Sequence, residues 1–129
     1  MTLLLSGRVV SGVGNFSYWI EKLEEHYLRK TGMRLYPGTL NVRLAEPYSL
    51  PKQVIRLEAS EYGGTVSVNM MPCVIRVPRA EGKKAFLLRT DANEEERGHH
   101  PKTIVEIACD VRLRDFFALK DDDLVEIEL

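Results

Sequence analysis

The sequence predicts a mainly β protein, a barrel with helical insertions. Three observations lead there. Short segments of alternating apolar residues, bounded by Gly and Pro, recur along the whole chain. One segment, 17–31, carries apolar residues at helical spacing and predicts the one longer helix. A shorter one, 111–118, predicts a short helix before the last strand. At 129 residues the chain suits a single domain, 1–129, large enough to bury roughly two thirds of its unfolded surface.

Residues 3–13 read as the first strand, with Leu3, Leu5, Val9 and Val10 apolar and Gly7 marking a bulge. Ser11-Gly12-Val13-Gly14-Asn15-Phe16-Ser17 follows. Gly12 and Gly14 free the backbone to turn successive amides toward an anion, although a tight turn also accounts for Gly-x-Gly. In the helix 17–31, Ser17 is the expected cap and Gly32 the expected stop. Trp19, Ile20, Leu23, Tyr27 and Leu28 share one face. Trp19 or Tyr18 offers a stacking surface for a flat ligand; an aromatic core face is the plainer reading of the pattern.

Pro37-Gly38 predicts a type II turn with positive φ at Gly38. The strand behind it alternates: Leu40, Val42 and Leu44 on the core face, Thr39, Asn41 and Arg43 on the other. Thr39 and Asn41 present two neutral oxygens side by side. A hard cation such as Mg²⁺ takes one or two protein oxygens and completes its shell with phosphate and water. A polar strand face meeting solvent is the plainer reading of Thr-x-Asn.

Residues 45–51 form a loop and 54–58 a half-buried strand, with a hairpin turn at Tyr62-Gly63-Gly64-Thr65. Residues 65–71 and 73–77 supply one or two further strands, expected to break at Pro72, with Pro78 at an end or edge. After a turn at 79–84, residues 85–89 give another strand. Residues 90–102 are polar and charged and read as a mobile loop, a candidate lid. His99-His100 within it reads as a solvated pair rather than a zinc site. In the strand 103–109, Glu106 interrupts an apolar run, and a carboxylate buried there needs a partner, either a salt bridge or a ligand. Asp110 is the expected cap of the short helix, Asp121-Asp122-Asp123 is a charged turn, and 124–129 closes the sheet.

The net charge of −1 argues against a nucleic-acid binder. Cys73 and Cys109 stand far apart in sequence, without a second Cys or His at ligand spacing, and are expected as buried free thiols. No apolar run is long enough to span a bilayer, and Met1–Leu5 lacks the charged start of a signal peptide. A cytoplasmic protein without a membrane partner is expected, as a monomer or a small homo-oligomer.

Pro37-Gly38-Thr39-Leu40-Asn41-Val42-Arg43-Leu44 resembles the signature of the CTP-dependent riboflavin kinases, a family known mainly from archaea. Two further blocks agree in order and spacing. Gly7-Arg8-Val9-Val10-Ser11-Gly12-Val13-Gly14 is similar to the family's opening strand and glycine-rich loop. Val105–Ala108, Val111–Arg114 and Leu119–Asp123 resemble its closing segment. The resemblance implies a six-stranded cradle-loop barrel and transfer of the γ-phosphoryl group of CTP to the 5′-hydroxyl of riboflavin. It implies that Gly12, Val13, Gly14, Asn15, Phe16 and Ser17, with Val111, Arg112, Leu113 and Arg114, surround the nucleotide. It implies Mg²⁺ on Thr39 and Asn41, and flavin beside Glu106 and position 98. The sequence departs from the family pattern twice: Phe16 stands where a third glycine is usual, and Gly98 where a flavin-holding threonine is usual. These departures motivate an alternative, a non-catalytic flavin- or nucleotide-binding module of the same fold. No residue is singled out as a general base.

Overall fold

The computed structural model describes residues 3–12, 16–78, 80–98 and 100–129. Among the described residues seven strands form: β1 (Leu4–Val10), β2 (Leu40–Leu44), β3 (Ile55–Leu57), β4 (Val68–Arg76), β5 (Lys83–Thr90), β6 (Ile104–Ala108) and β7 (Leu124–Glu128). Helices α1 (Phe16–Lys22) and α2 (Glu24–Thr31) lie between β1 and β2. One-turn helices α3 (Asp91–Glu94) and α4 (Leu113–Phe116) follow β5 and β6. The strands pair in the order β4-β5-β6-β2-β1-β7, and β7 returns to β4, so six antiparallel strands close a barrel. β3 adds to the outer edge of β4. The predicted barrel is therefore what forms.

Strand alternation builds two cores. Val42, Leu87, Val105, Ile107, Val125 and Ile127 point inside the barrel. Their neighbours Phe86, Leu88 and Ala108 point the other way, under Ile20 of α1, Tyr27 of α2 and Leu23 between them. β5 and β6 are thus buried on both faces, which is why they read as continuous apolar runs. Each fully buried aliphatic side chain here contributes about 1.5–3 kcal/mol. Glu106 lies on the helix side of β6, beside Ala108, so its burial follows from the same alternation.

Several local expectations are corrected. Gly7 makes no bulge: the β1–β2 register is continuous from Gly7↔Leu44 to Val10↔Asn41. It is a close approach instead, since a Cβ there would lie 2.6 Å from the Arg43 carbonyl oxygen. The helix 17–31 is two helices that part at Leu23 (φ −107°, ψ 27°). Ser17 sits inside α1 rather than capping it, because the helix already begins at Phe16. Gly32 does end α2, with φ +74°. Gly38 does not take positive φ. Its N–H donates to the Tyr36 carbonyl, 2.8 Å away, and closes a tighter three-residue turn around Pro37. Pro72 lies within β4 and does not break it. It falls after the residues paired with β3 and before those paired with β7, so one side of β4 is free of ladder bonds there. Asp110 does not cap α4; it pairs with Lys83 at 3.1 Å. The two thiols are buried and free.

The start of the segment read as a mobile loop, residues 90–94, is tied down instead. The Thr90 hydroxyl accepts from Asn93 N and caps α3. Asp91 receives Arg56 at 2.9 Å, and Glu94 receives Arg89 at 2.8 Å. The Arg89 guanidinium, 3% exposed, also donates to the carbonyls of Tyr48 and Lys102. No helix among the described residues is long and apolar enough to cross a membrane.

Candidate active site

Two cavities lie on the helix side of β2 and β6, and the first collects most of the residues singled out in the sequence. This cleft, about 250 Å³, is lined by Gly12, Phe16 and Ser17 at one end. Thr39, Asn41 and Glu106 form its floor, and Val111, Arg112, Leu113 and Arg114 its far wall. Val13, Gly14, Asn15 and His99 lie outside the described residues.

The floor follows from strand register. Asn41 of β2 stands directly opposite Glu106 of β6, so their side chains share one face. Thr39, just ahead of β2, donates its hydroxyl hydrogen to Glu106 Oε1 at 3.0 Å. Glu106 is 6% exposed and has no ion pair among the described residues, so the salt-bridge alternative for it does not hold. Burial pushes its carboxyl up to about 7, opposed in part by the Thr39 hydrogen bond.

Asn41 Oδ1 is buried and has no hydrogen-bond partner among the described residues. Such an orphan acceptor calls for an explanation. Its amide lies directly on Gly12, where a Cβ would come within 2.1 Å of Nδ2. Gly12 is therefore needed for the approach of Asn41, and its φ is not positive. The residues fit a hard cation. Asn41 offers an unused carbonyl oxygen, and Thr39 keeps its lone pairs because its hydrogen is committed to Glu106. Two neutral oxygens leave most of the coordination shell to other ligands.

The arginines of the wall are already engaged. Arg112 pairs with Asp115 at 2.7 Å. Arg114 pairs with Asp121 at 2.7 Å and donates to the Val10 carbonyl at 3.2 Å. Asp121 also accepts from the Ser11 hydroxyl at 2.8 Å, and Arg114, then Ser11, hold its carboxyl below the usual range. Arg114 thus ties α4, the charged turn and the start of the glycine-rich loop into one frame around the cleft.

The second cavity, about 510 Å³, falls in the size range of small-molecule sites. Trp19, Leu23, Tyr27 and Val68 give it an apolar lining, and Asn93, Gly98 and His100 stand at its α3 side. Phe16 and Glu106 line both cavities. A Cβ at Gly98 would sit 1.8 Å from Asn93 Oδ1, so the Asn93 carboxamide fills the space a side chain at 98 would take. His100 is half-buried rather than solvated. Trp19 lines this cavity, while Tyr18 is 55% exposed, packs edge-to-face with Trp19 and carries the Lys22 ammonium over its ring.

Sequence reasoning missed Tyr36, Tyr27 and Asn93 as lining residues. Tyr27 carried a signal, being a tyrosine on a helix face otherwise fit for the core. Among the described residues no group of three or more His, Cys, Asp or Glu is placed to hold a metal.

The chain matches a family model of the CTP-dependent riboflavin kinase domain, described as "Domain of unknown function DUF120", over residues 9–129. It is 35% identical over 138 residues to a riboflavin kinase of Pyrobaculum aerophilum, covering 99% of this chain and 61% of that protein. It is 31% identical over 128 residues to a riboflavin kinase of Methanocella arvoryzae, covering 98% and 56%. With a riboflavin kinase of Archaeoglobus fulgidus the identity is 32% over 136 residues, covering 99% and 55%. The chain spans less than two thirds of the length of these relatives. A match that runs from β1 to the last strand, over a barrel with this floor and these two cavities, leads to one conclusion: the chain belongs to the CTP-dependent riboflavin kinase family.

Proposed function

We propose that this chain transfers the γ-phosphoryl group of CTP to the 5′-hydroxyl of riboflavin, giving FMN and CDP. The observation that carries the reading is the meeting of two chemically different cavities at one buried carboxylate, Glu106. A polar cleft suits a nucleotide and an apolar cavity suits a flat ring. A residue shared by both marks where donor and acceptor meet. The names of the relatives support riboflavin as substrate, and the family name supports CTP as donor.

Phosphoryl transfer asks little covalent chemistry of a protein; it asks for in-line positioning and neutralised phosphate charge. In this reading the nucleotide lies between the Gly12–Ser17 segment and Val111–Arg114. The flavin ring lies in the second cavity against Trp19, near Gly98, with Glu106 holding the ring or the ribityl chain. Thr39 and Asn41 would hold Mg²⁺, which would supply neutralisation of the phosphate charge. The orphaned Asn41 oxygen supports that assignment.

The test is FMN formation by purified protein with riboflavin and Mg²⁺, with CTP or ATP in parallel. FMN from CTP is the expected result. FMN from ATP alone would keep the reaction and overturn the donor. No FMN from folded protein with either nucleotide would favour the second reading, a non-catalytic binding module. Phe16 is the observation behind that alternative, because its ring stands in the lining of both cavities.

A further inference from the structure

The Tyr27 hydroxyl is the other buried polar side-chain atom that lacks a partner among the described residues. Tyr27 is only 1% exposed, in the middle of α2, and packs among Ile20, Leu35, Met70 and Leu88. A buried tyrosine normally places its hydroxyl against an acceptor, since leaving it unpaired costs free energy that phenylalanine would avoid. Packing alone therefore explains the ring and not the oxygen. The residue lines the second cavity, so a ligand seated there lies against Tyr27. Burial, then the neighbouring Tyr62 and Glu106, push the phenol well above its usual range, so it stays protonated and keeps a hydrogen to donate.

We propose that the Tyr27 hydroxyl is a specificity contact of the second cavity, donating a hydrogen bond to an acceptor on the polar edge of a flat heteroaromatic ring. The inference rests on the flavin reading of that cavity and adds to it the residue that tells such a ring from a purely apolar one. The surrounding walls are aromatic and aliphatic, with Trp19, Leu23 and Val68, and they grip a ring without orienting it. Hydrogen-bonding groups in an apolar site supply orientation, and the site discriminates strongly because a ligand lacking the acceptor leaves the buried donor unpaired. In the ligand-bound protein the orphan would be satisfied.

Tyr27→Phe tests this, as it removes one oxygen and keeps the ring. Binding is read from quenching of flavin fluorescence on titration with protein, without nucleotide, and folding from thermal melting. The expected result is about tenfold weaker riboflavin binding. The melting temperature is expected to stay unchanged or rise, because an unpaired buried hydroxyl is lost. Lumiflavin, which carries the ring and lacks the ribityl chain, should show the same tenfold ratio. Equal riboflavin affinity in the two proteins would overturn the inference while leaving the flavin site standing. A loss confined to riboflavin, with lumiflavin unaffected, would also overturn it, since the hydroxyl would then meet the ribityl chain. Absence of riboflavin binding by the unsubstituted protein would sink the flavin reading itself, and this inference with it.

Discussion

Replacing Glu106 with Gln keeps the shape of the side chain and removes its charge, so it measures what burying that carboxylate costs. Glu106 is 6% exposed, and its one side-chain hydrogen bond among the described residues comes from Thr39. A glutamine oxygen can accept the same bond. Burial lifts the carboxyl from 4.5 to about 7 in the folded protein. That gap corresponds to about 3 kcal/mol against the ionised form. The sign follows from proton counting. Between pH 4.5 and about 7 the folded protein holds a proton that the unfolded chain has released, so stability falls as pH rises through that window. Below it the group contributes no penalty, and above it the penalty is complete. Glu106→Gln should therefore match the parent near pH 4 and exceed it by about 3 kcal/mol at pH 8. For a chain of this size that is a melting shift of about 10 °C. Thermal and urea unfolding at pH 4, 6 and 8, in buffer with a chelator, would measure it. A stability difference independent of pH, or a parent more stable than the variant at pH 8, would refute the reasoning. The same variant should bind riboflavin more weakly, so stability and binding would move in opposite directions.

Asn41→Ala removes an oxygen that has no partner among the described residues, so it should cost under about 1 kcal/mol of stability. It should lower FMN formation on the order of a hundredfold; equal losses of folding and activity would count against a metal role. Gly12→Ala would place a methyl within 2.1 Å of the Asn41 amide and displace it. Calorimetry should show weaker CTP binding, and unchanged affinity would mean the amide position is immaterial. Glu94→Ala strands the buried Arg89 guanidinium with carbonyl partners alone and should cost about 3 kcal/mol in urea unfolding. A cost under about 1 kcal/mol would show that the carbonyls suffice.

Much of the site was legible in the sequence because strand alternation is local. Leu40, Val42 and Leu44 against Thr39, Asn41 and Arg43 needs no knowledge of the rest of the chain, and the burial of this strand follows it. Glu106 was legible for a related reason: a carboxylate inside an apolar run has to be explained wherever the run folds. The helix stop at Gly32 was also readable, since positive φ favours glycine. Gly38 shows the limit of the same argument. Pro-Gly permits a type II turn and also permits the tighter turn that forms, and the 2.7 Å bond from Tyr36 N to the Cys109 carbonyl ties Tyr36 to a distant part of the chain.

Other features depended on contacts between distant residues. The Thr39–Glu106 hydrogen bond joins positions 67 apart, and the pairing of β2 with β6 creates it. Pro72 could stay inside β4 because neither β3 nor β7 pairs with the strand at that point. The segment 90–102 looked too polar to hold a shape, yet its first turn is held by Arg56 on Asp91 and Arg89 on Glu94. The second cavity lies between the helices, the β3–β4 connection and α3, so its residues share no sequence pattern. Residue order sets torsional preferences and the face each side chain takes along its own strand or helix, and these established the barrel strands and the polar row at their mouth. Which faces meet depends on closing the barrel and laying α1 and α2 against it. That closure turned a polar row into a cleft floor, buried Glu106 between two cavities, and left the oxygens of Asn41 and Tyr27 without partners among the described residues.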